Sequence, residues 1–381
     1  MQKVITSERI PIKLWLDEID DATLQQARHL ASLPFAFKWV ALMPDSHVGF
    51  GMPIGGVLAA QEVIVPNAVG VDIGCGMLAA RTNLEKIDLS ALQLLLDRIH
   101  QQIPLGFHHH QTDQPWAGFD HAPDLPIIQQ ELASARRQLG TLGGGNHFIE
   151  IQQGSDDRIW IMIHSGSRNF GLKAASTYHK IAQALCARKG YPLPDRDLAY
   201  IPMDIREGED YFAAMNYCCE FAQANRMRML ELISEVMADV IDGKVDEIIN
   251  IHHNYAAIET HYGRSVLVHR KGATKAASDT IGIIPGSMGS KSYIVRGLGN
   301  PESFASCSHG AGRRLGRKEA IRSLNLTTEQ EKMRGILHGL HSRNELDEAP
   351  GAYKDIDQVM RLQQDLVAIQ ISLKPLASIK G

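Results

Sequence analysis

The chain of 381 residues can bury a large core, and its 44% hydrophobic and 22% charged residues are typical of a globular protein. No run of residues approaches the roughly 18 apolar positions of a membrane span. The N-terminal segment lacks a basic region followed by an apolar stretch, so we expect no export signal. A net charge of −4 argues against a protein that tracks many phosphates along a duplex and favours a local pocket for any nucleic acid.

The cysteine and histidine content gives the next constraint. The five cysteines include an adjacent pair and form no C-x-x-C motif, so we expect no disulfide framework and a reducing cytoplasm. The 17 histidines are more than an average chain carries and hint at metal chemistry, although scattered core and surface histidines would explain most of them. The cysteines are Cys75, Cys186, Cys218, Cys219 and Cys307.

The predicted elements begin with a helix over 17–33, followed by a glycine-rich stretch over 43–56. Short apolar runs then recur, each ending in glycine or a polar cluster, as expected of buried strands that lead into functional loops. These runs are Val63 to Val65, Trp160 to Ile163, Ile248 to Ile251, Val266 to Val268 and Tyr293 to Val295. The segment 107–116, which contains His108, His109 and His110, is predicted to be a solvated loop, because neighbouring histidines do not readily converge on one ion.

Two helical regions complete the pattern. A long helix is predicted around 207–242, and its methionines and aromatic residues are interpreted as core. A mostly helical stretch is predicted from Thr327 to the C-terminus, with a loop around Pro350. Because strands and helices do not alternate regularly, we expect an α+β fold. The length permits two or three domains as well as a single one.

Several metal-ligating residue types stand at the ends of apolar runs. Asp72 and Cys75 lie three residues apart between glycines, which permit close backbone approach. His147 follows three glycines and Asn146, His164 ends an apolar strand, and His252-His253 ends another. Each histidine alone is more often structural than a ligand, but the set together favours metal binding. The mixed donors leave zinc and manganese open, and five donors could hold two ions suited to phosphoryl transfer.

A candidate nucleophile lies in the segment 306–317. His309 is surrounded by serine, glycine and alanine and is followed by Arg313, Arg314 and Arg317. A neutral imidazole can attack phosphorus, and arginines can clamp phosphate. The alternative is a glycine-rich helix start with ordinary basic residues. No P-loop, no G-x-G-x-x-G and no Lys-x-Asp-Gly sequence offers another route to a nucleotide.

Eight motifs in this order resemble the RtcB-type RNA ligases. They follow Met43-Pro-Asp-Ser-His47 and are Val71-Asp-Ile-Gly-Cys-Gly76, Gly145-Asn-His-Phe-Ile-Glu150, His164-Ser-Gly-Ser-Arg168, His252-His-Asn-Tyr255, Arg270-Lys-Gly-Ala273, Ile284-Pro-Gly-Ser-Met-Gly289, Ser308-His-Gly-Ala-Gly-Arg313 and Ala352-Tyr-Lys-Asp-Ile356. The resemblance implies one domain over 1–381, with a β-sheet core wrapped by helices and a metal site at strand ends. The resemblance extends to Lys380-Gly381 and so covers essentially the whole chain. In two respects the chain departs from the family: Gly144 stands where threonine is common, and the stretch over 106–139 is short.

The resemblance implies a set of site residues. Two manganese ions would be held by Asp72, Cys75, His147, His164 and His253, with His252 structural. His309 would carry GMP. The GTP and GMP contacts would be Asn146, Glu150, Asn254, Ser287, Ser292, His309, Ala311, Gly312, Tyr353 and Lys380. RNA phosphates would meet Arg168, Arg313 and Arg317.

The implied activity is a GTP- and manganese-dependent RNA ligase of tRNA splicing or RNA repair. It would join RNA 3′-phosphate or 2′,3′-cyclic phosphate ends to 5′-hydroxyl ends through a histidine-GMP intermediate, with an activating protein partner left open. One alternative is a two-metal phosphoesterase or cyclic phosphodiesterase without guanylation. The other is a non-enzymatic partner that kept the fold, which predicts a missing ligand or a missing His309; the sequence lacks neither.

Overall fold

The structure, a computed structural model, describes residues 1–381. Its strands β1 to β17 are Lys3–Ile5, Ile12–Leu14, Ala36–His47, Ile54–Ala60, Val63–Ile64, Gly76–Thr82, Phe148–Gly154, Ile159–Ser165, Ile201–Pro202, Val245–His252, Asn254–His261, Arg264–Lys271, Ala273–Lys275, Ile281–Ile284, Ser292–Gly297, Ser306–Ser308 and Val367–Lys380. The helices α1 to α9 are Asp21–Ser32, Pro66–Val69, Leu89–Gln102, Pro126–Gln138, Arg168–Lys189, Arg206–Ile241, Arg317–Ser323, Leu326–Lys332 and Ile356–Leu362. No helix is both long enough and apolar enough to span a membrane.

Two large sheets organise the chain. The first has six strands in the order β1-β2-β3-β4-β12-β11, and the second has seven in the order β10-β6-β8-β7-β17-β15-β14. The edge strands β10 and β14 of the second sheet approach each other, so this sheet curls toward a barrel. Two short pairs, β5-β9 and β13-β16, complete the strand pairing.

Alternating side chains along β6 explain how the second sheet is packed. Leu78 and Ala80 face a core shared with α3 and α6, whereas Met77 and Ala79 face a separate cluster inside the curled sheet. This is the period of two that a strand buried on both faces requires. The long helix α6 also packs its N-terminal half into the core beside the first sheet, so it contributes to both cores.

The predicted α+β class, with helices around a β-sheet core, is confirmed. The long helix over 206–241 matches its prediction, and the segment 107–116 has no helix or strand. Four of the five predicted apolar runs lie wholly in strands, and the fifth does so except for Val65, which precedes α2. The first helix is shorter than predicted because Asp20 caps it, its side chain accepting a hydrogen bond from the Thr23 amide.

The prediction of helix up to the C-terminus is wrong over Val367–Lys380, which form the strand β17. This strand lies between β15 and β7 in the middle of the second sheet. Its apolar residues Val367, Ile369, Ile371 and Leu373 recur every second position, which is a strand period rather than a helical one. Pro375, which cannot donate a backbone hydrogen bond, stands at a bulge in the pairing with β7.

Candidate metal centre and nucleophile

The antiparallel register of three strands brings the predicted ligands to one edge of the second sheet. Cys75 precedes β6, His147 precedes β7, and His164 is the penultimate residue of β8. Because His164 pairs with Met77 on β6 and with Phe148 on β7, the three side chains meet although they are far apart in sequence. His253 joins them because β10 ends with His252 opposite Gly76.

The side chains form a buried cluster. The Cys75 Sγ lies 3.5 Å from the His147 Nε2 and 3.3 Å from the His164 Nε2. The His147 Nε2 is also 3.1 Å from the Asp72 Oδ2. The His253 ring centroid is 5.2 Å from that of His164. The structure therefore brings together all five residues that the resemblance implies as metal ligands.

The hydrogen bonds of the histidines fit a metal. The Nδ1 of His147 is 3.0 Å from the Leu142 carbonyl oxygen, and the Nδ1 of His164 is 3.0 Å from the Asn146 carbonyl oxygen. A carbonyl can only accept, so each Nδ1 carries the proton and each Nε2 presents a lone pair to the cluster. The buried Nδ1 of His253 has no hydrogen-bond partner. Thiol, imidazole and carboxylate donors at these distances suit a divalent cation.

Two residues of α6 hold the loops that carry the ligands, and neither was singled out from the sequence. The fully buried Arg226 donates to the carbonyl oxygens of Gly74, at 3.0 Å, and Ser165, at 2.8 Å. Asn225 accepts from the amides of Gly140 and Thr141 and donates to the Ser165 Oγ. A polar residue at a helical spacing that otherwise predicts core is the one signal that could have found them.

The predicted nucleophile, His309, lies beside this cluster. Its ring centroid is 4.8 Å from that of His253. Its Nδ1 is 2.6 Å from the Oδ2 of the fully buried Asp45, and the same oxygen accepts from the backbone amide of His309 at 3.0 Å. Burial works to raise the pKa of Asp45, but the attraction of His309 holds it below its ordinary value, so Asp45 stays a carboxylate.

Asp45 is a site residue to which the sequence analysis gave no role. It lies within the Met43–His47 motif on β3, so the motif pointed to the segment. The role follows only from the fold, which places β3 against the loop after β16. A carboxylate at the Nδ1 fixes the tautomer of His309 and leaves its Nε2 free to attack.

Two of the predicted nucleotide contacts, Glu150 and Ser292, lie together, and a third, Asn254, forms hydrogen bonds with the neighbouring backbone. Gln152 donates to the Glu150 Oε2 at 2.7 Å and to the Ser292 Oγ at 3.2 Å. The Asn254 Oδ1 accepts from the Gly272 amide, and its Nδ2 donates to the Asp72 carbonyl oxygen. Near His309, the Ala311 amide donates to the Pro285 carbonyl oxygen, two residues before Ser287.

The buried Glu150 leads to a prediction about stability. Burial raises the pKa of its carboxyl from 4.5 to about 7, against the opposing attraction of Lys380. Between these pH values the folded state holds a proton that the unfolded state has released, so stability falls as the pH rises, by roughly 3 kcal/mol in all. Because glutamine stays neutral, we expect Glu150→Gln to raise the midpoint of thermal unfolding at pH 8 and to leave it nearly unchanged at pH 4.5.

The exposed Glu235 of α6 provides the matched control, because Glu235→Gln should leave the midpoint unchanged at both pH values. Thermal unfolding followed by circular dichroism makes the measurement. Equal midpoints for wild type and Glu150→Gln at pH 8 would show that Glu150 ionises in the folded protein without cost.

The predicted phosphate-binding arginines already have internal counter-ions. The Glu348 Oε1 is 2.9 Å from the Arg313 Nη1 and 2.7 Å from the Arg317 Nη1. The other Glu348 oxygen accepts from the Tyr353 hydroxyl and is 3.8 Å from the Lys380 Nζ. Four predicted ligand contacts thus converge on one buried carboxylate that the sequence analysis did not identify. A substrate phosphate at Arg313 or Arg317 has to compete with Glu348, which lowers the net positive charge of the site.

Arg168 stands apart from that network. Its Nε donates to the Thr141 Oγ1 and its Nη2 to the Gly106 carbonyl oxygen, each at 3.2 Å. A Cβ at Gly143 would collide with its guanidinium, which explains the glycine there.

Two cavities are lined by predicted contact residues. One of about 1670 Å³ is lined by Ser287, Arg313, Arg317 and Tyr353, and one of about 700 Å³ is lined by Gly145, Glu348 and Lys380.

A buried cluster of thiol and imidazole groups that could hold a metal ion lies next to a histidine whose Nδ1 is held by a carboxylate, an arrangement suited to an enzyme of the phosphoryl-transfer class. Comparison with known proteins is more specific. The model of the family described as tRNA-splicing ligase RtcB matches residues 26–381. The chain therefore belongs to the RtcB family.

Relatives match over nearly their whole length. The chain is 39% identical to the RNA-splicing ligase RtcB of Escherichia coli K12, covering 100% of this chain and 99% of the relative. It is 33% identical to the tRNA-splicing ligase RtcB of Thermococcus kodakarensis, with 98% and 95% covered. It is 32% identical to the RNA-splicing ligase RtcB of Mycobacterium tuberculosis, with 93% and 100% covered.

Proposed function

We propose that the protein is a GTP- and manganese-dependent RNA ligase that joins 3′-phosphate or 2′,3′-cyclic phosphate ends to 5′-hydroxyl ends. The observation that carries the proposal is the pairing of His309 with Asp45 beside the buried cluster around Cys75. The family membership and the relatives named as RNA-splicing ligases support the substrate class. The protein would then act in tRNA splicing or RNA repair in the cytoplasm.

The metal would be held by the five predicted ligands, Asp72, Cys75, His147, His164 and His253. Bound there, two divalent ions would neutralise phosphate oxygens and withdraw charge from a leaving pyrophosphate. The free Nε2 atoms of His147 and His164 support this role. The carboxylate and imidazole donors are compatible with manganese.

The chain's own residues account for the transfer of GMP. The Nε2 of His309 attacks the α-phosphorus of GTP, a P–N bond forms, and the bond to the β-phosphate oxygen breaks to release pyrophosphate. Asp45, at the Nδ1, stabilises the positive charge that the ring acquires. A 2′,3′-cyclic phosphate end first adds water, which breaks one ring P–O bond and leaves a 3′-phosphate and a 2′-hydroxyl. The RNA 3′-phosphate oxygen then attacks the phosphorus of the His309-bound GMP and breaks the P–N bond. Finally the 5′-hydroxyl attacks the RNA phosphorus and GMP leaves, which forms the phosphodiester.

The remaining predicted contacts fit the two substrates. Glu150, Ser292, Tyr353 and Lys380 would bind GMP, and the cavities lined by Tyr353 and by Lys380 have room for a nucleotide. Arg168, Arg313 and Arg317 would bind RNA phosphates. The alternative, a two-metal phosphoesterase, would use the cluster around Cys75 but would not require the pair of His309 and Asp45.

The direct test uses synthetic RNA with defined ends, GTP and manganese. We expect a joined product from a 3′-phosphate strand and a 5′-hydroxyl strand, and none from a 3′-hydroxyl strand and a 5′-phosphate strand. Removal of the 3′-phosphate without joining would favour the phosphoesterase instead.

The role of Asp45 leads to a second prediction. Asp45→Asn keeps the size of the side chain but removes the charge that stabilises a positive His309, so we expect the rate of GMP transfer to the protein to fall by about 10²- to 10⁴-fold. The KM for GTP should change less than the rate, because the fully buried Asp45 carboxylate acts through the Nδ1 of His309 and the amides of His309 and Gly310. Single-turnover labelling with GTP measures both values. The control is Asp113→Asn in the exposed loop, and a KM effect without a rate effect would contradict the role.

A further inference from the structure

One aromatic side chain near the site has no packing partner. The side chain of Phe107 is 100% exposed. Single exposed apolar residues are common on proteins and need no explanation by themselves. The position of Phe107 distinguishes it, because the backbone beside it is bound to the loop that leads into His147.

The loop of Phe107 is fixed against the glycine loop of the metal centre. The Gly106 amide donates to the Gly143 carbonyl oxygen at 2.9 Å, and the Gly106 carbonyl oxygen accepts from Arg168 at 3.2 Å. A Cβ at Gly144 would lie 3.8 Å from the Gly106 Cα. Phe107 therefore stands one residue from the guanidinium of Arg168, on a backbone that is held in place.

The adjoining surface suits a phosphate. Gly144, Gly145 and Asn146 are exposed and lead directly to His147. The backbone amides of Gly144 and Gly145 donate to no group of the chain. A Cβ at Gly145 would lie 3.1 Å from the Arg317 Nη2. The free amides and the guanidinium of Arg168 offer hydrogen bonds and positive charge to an anion. Arg317 is already paired with Asp347 and Glu348, and the carboxyl carbon of Gly381 lies 4.0 Å from the Cβ position at Gly144, so Arg168 supplies the net positive charge.

We propose that Phe107 is a stacking platform for a base close to the 3′-phosphate end of the RNA strand. The proposal rests on the proposed ligase function. The backbone phosphate would lie over Gly144 and Gly145, and the base would stack on the Phe107 ring. An aromatic ring on which a base stacks, beside a cationic side chain that meets the backbone phosphate, is how proteins bind single-stranded nucleic acids without sequence preference. The departure at Gly144 and the unusual loop after Gly106 belong to this one subsite.

The test is the KM of the ligation reaction for a short 3′-phosphate RNA. Loss of one stacked base corresponds to about fivefold to a hundredfold in affinity, so Phe107→Ala should raise this KM at least fivefold, whereas Phe107→Trp should keep it. Labelling of the protein by GTP should not change in either variant, because Phe107 does not contact the nucleotide site. Leu89→Ala is the control: Leu89 is 69% exposed at the far end of α3, about 20 Å along the helix.

An abasic RNA separates stacking from other roles. With the bases of the last three nucleotides removed, wild type and Phe107→Ala should bind the 3′-phosphate RNA equally in fluorescence anisotropy. A penalty of Phe107→Ala that persists on the abasic strand, or no penalty on the normal strand, overturns the proposal, and the former outcome would assign Phe107 to the positioning of its loop instead of to stacking. Anisotropy needs no guanylation, so failure of the ligase function itself would show separately, as wild type that takes no label from GTP.

Discussion

His309→Ala should lower the rate at which labelled GMP is transferred from GTP to the protein by at least about a thousandfold. The imidazole Nε2 is the atom that we expect to form the covalent bond, since the Nδ1 is engaged by Asp45 and the hydroxyl of the neighbouring Ser308 is fully buried. His309 lies beside the Cys75 cluster but is not one of the five predicted metal ligands, so the folded protein should retain its metal. Denaturing electrophoresis after incubation with α-labelled GTP and manganese makes the measurement.

The chemical stability of the label identifies the bond. A phosphoramidate on histidine should be labile in acid and stable in base. The control is His121→Ala, which removes an exposed histidine outside the site and should label like wild type. Undiminished labelling of His309→Ala would place the nucleophile elsewhere. No labelling of wild type that contains metal would favour the phosphoesterase.

The sequence predicted the members of the metal cluster because each stands where an apolar run begins or ends next to small residues. Cys75, His147 and His164 occupy such positions, and an antiparallel sheet brings strand ends of opposite direction to one edge. The pattern did not give the strand order, which pairs β6 with β8 and β10. It was the order of the motifs, through the family resemblance, that identified the set.

The supporting residues could not be predicted in the same way. Asp45 is 264 residues from His309, and nothing local marks it as a partner. Glu348 lies in a short 3-10 helix and has a role only because Arg313, Tyr353 and Lys380 converge on it. Such pairings depend on the assembled fold and leave no periodic signal in one sequence. The C-terminal strand is a different case, because its period of two was present in the sequence and was not used.

Cys75→Ser should lose the bound metal and, with it, both GMP transfer to the protein and RNA ligation. Serine keeps the shape of the side chain, but its hydroxyl does not ionise readily and so cannot replace a thiolate between the Nε2 atoms of His147 and His164. We expect the metal content, measured by elemental analysis after dialysis, to fall below that of wild type and the labelling rate to fall at least about a hundredfold.

Cys186 provides the matched control for this substitution. It is also buried, but its Sγ contacts the Tyr200 carbonyl oxygen in a different core, so Cys186→Ser should keep both metal and labelling. Thermal unfolding of the two variants separates loss of metal from loss of fold, since a folded Cys75→Ser without metal is the expected result. A folded Cys75→Ser that binds metal and labels at the wild-type rate would show that the ions are held without the thiol. In that case the carboxylate of Asp72 and the three histidines would have to form the site alone.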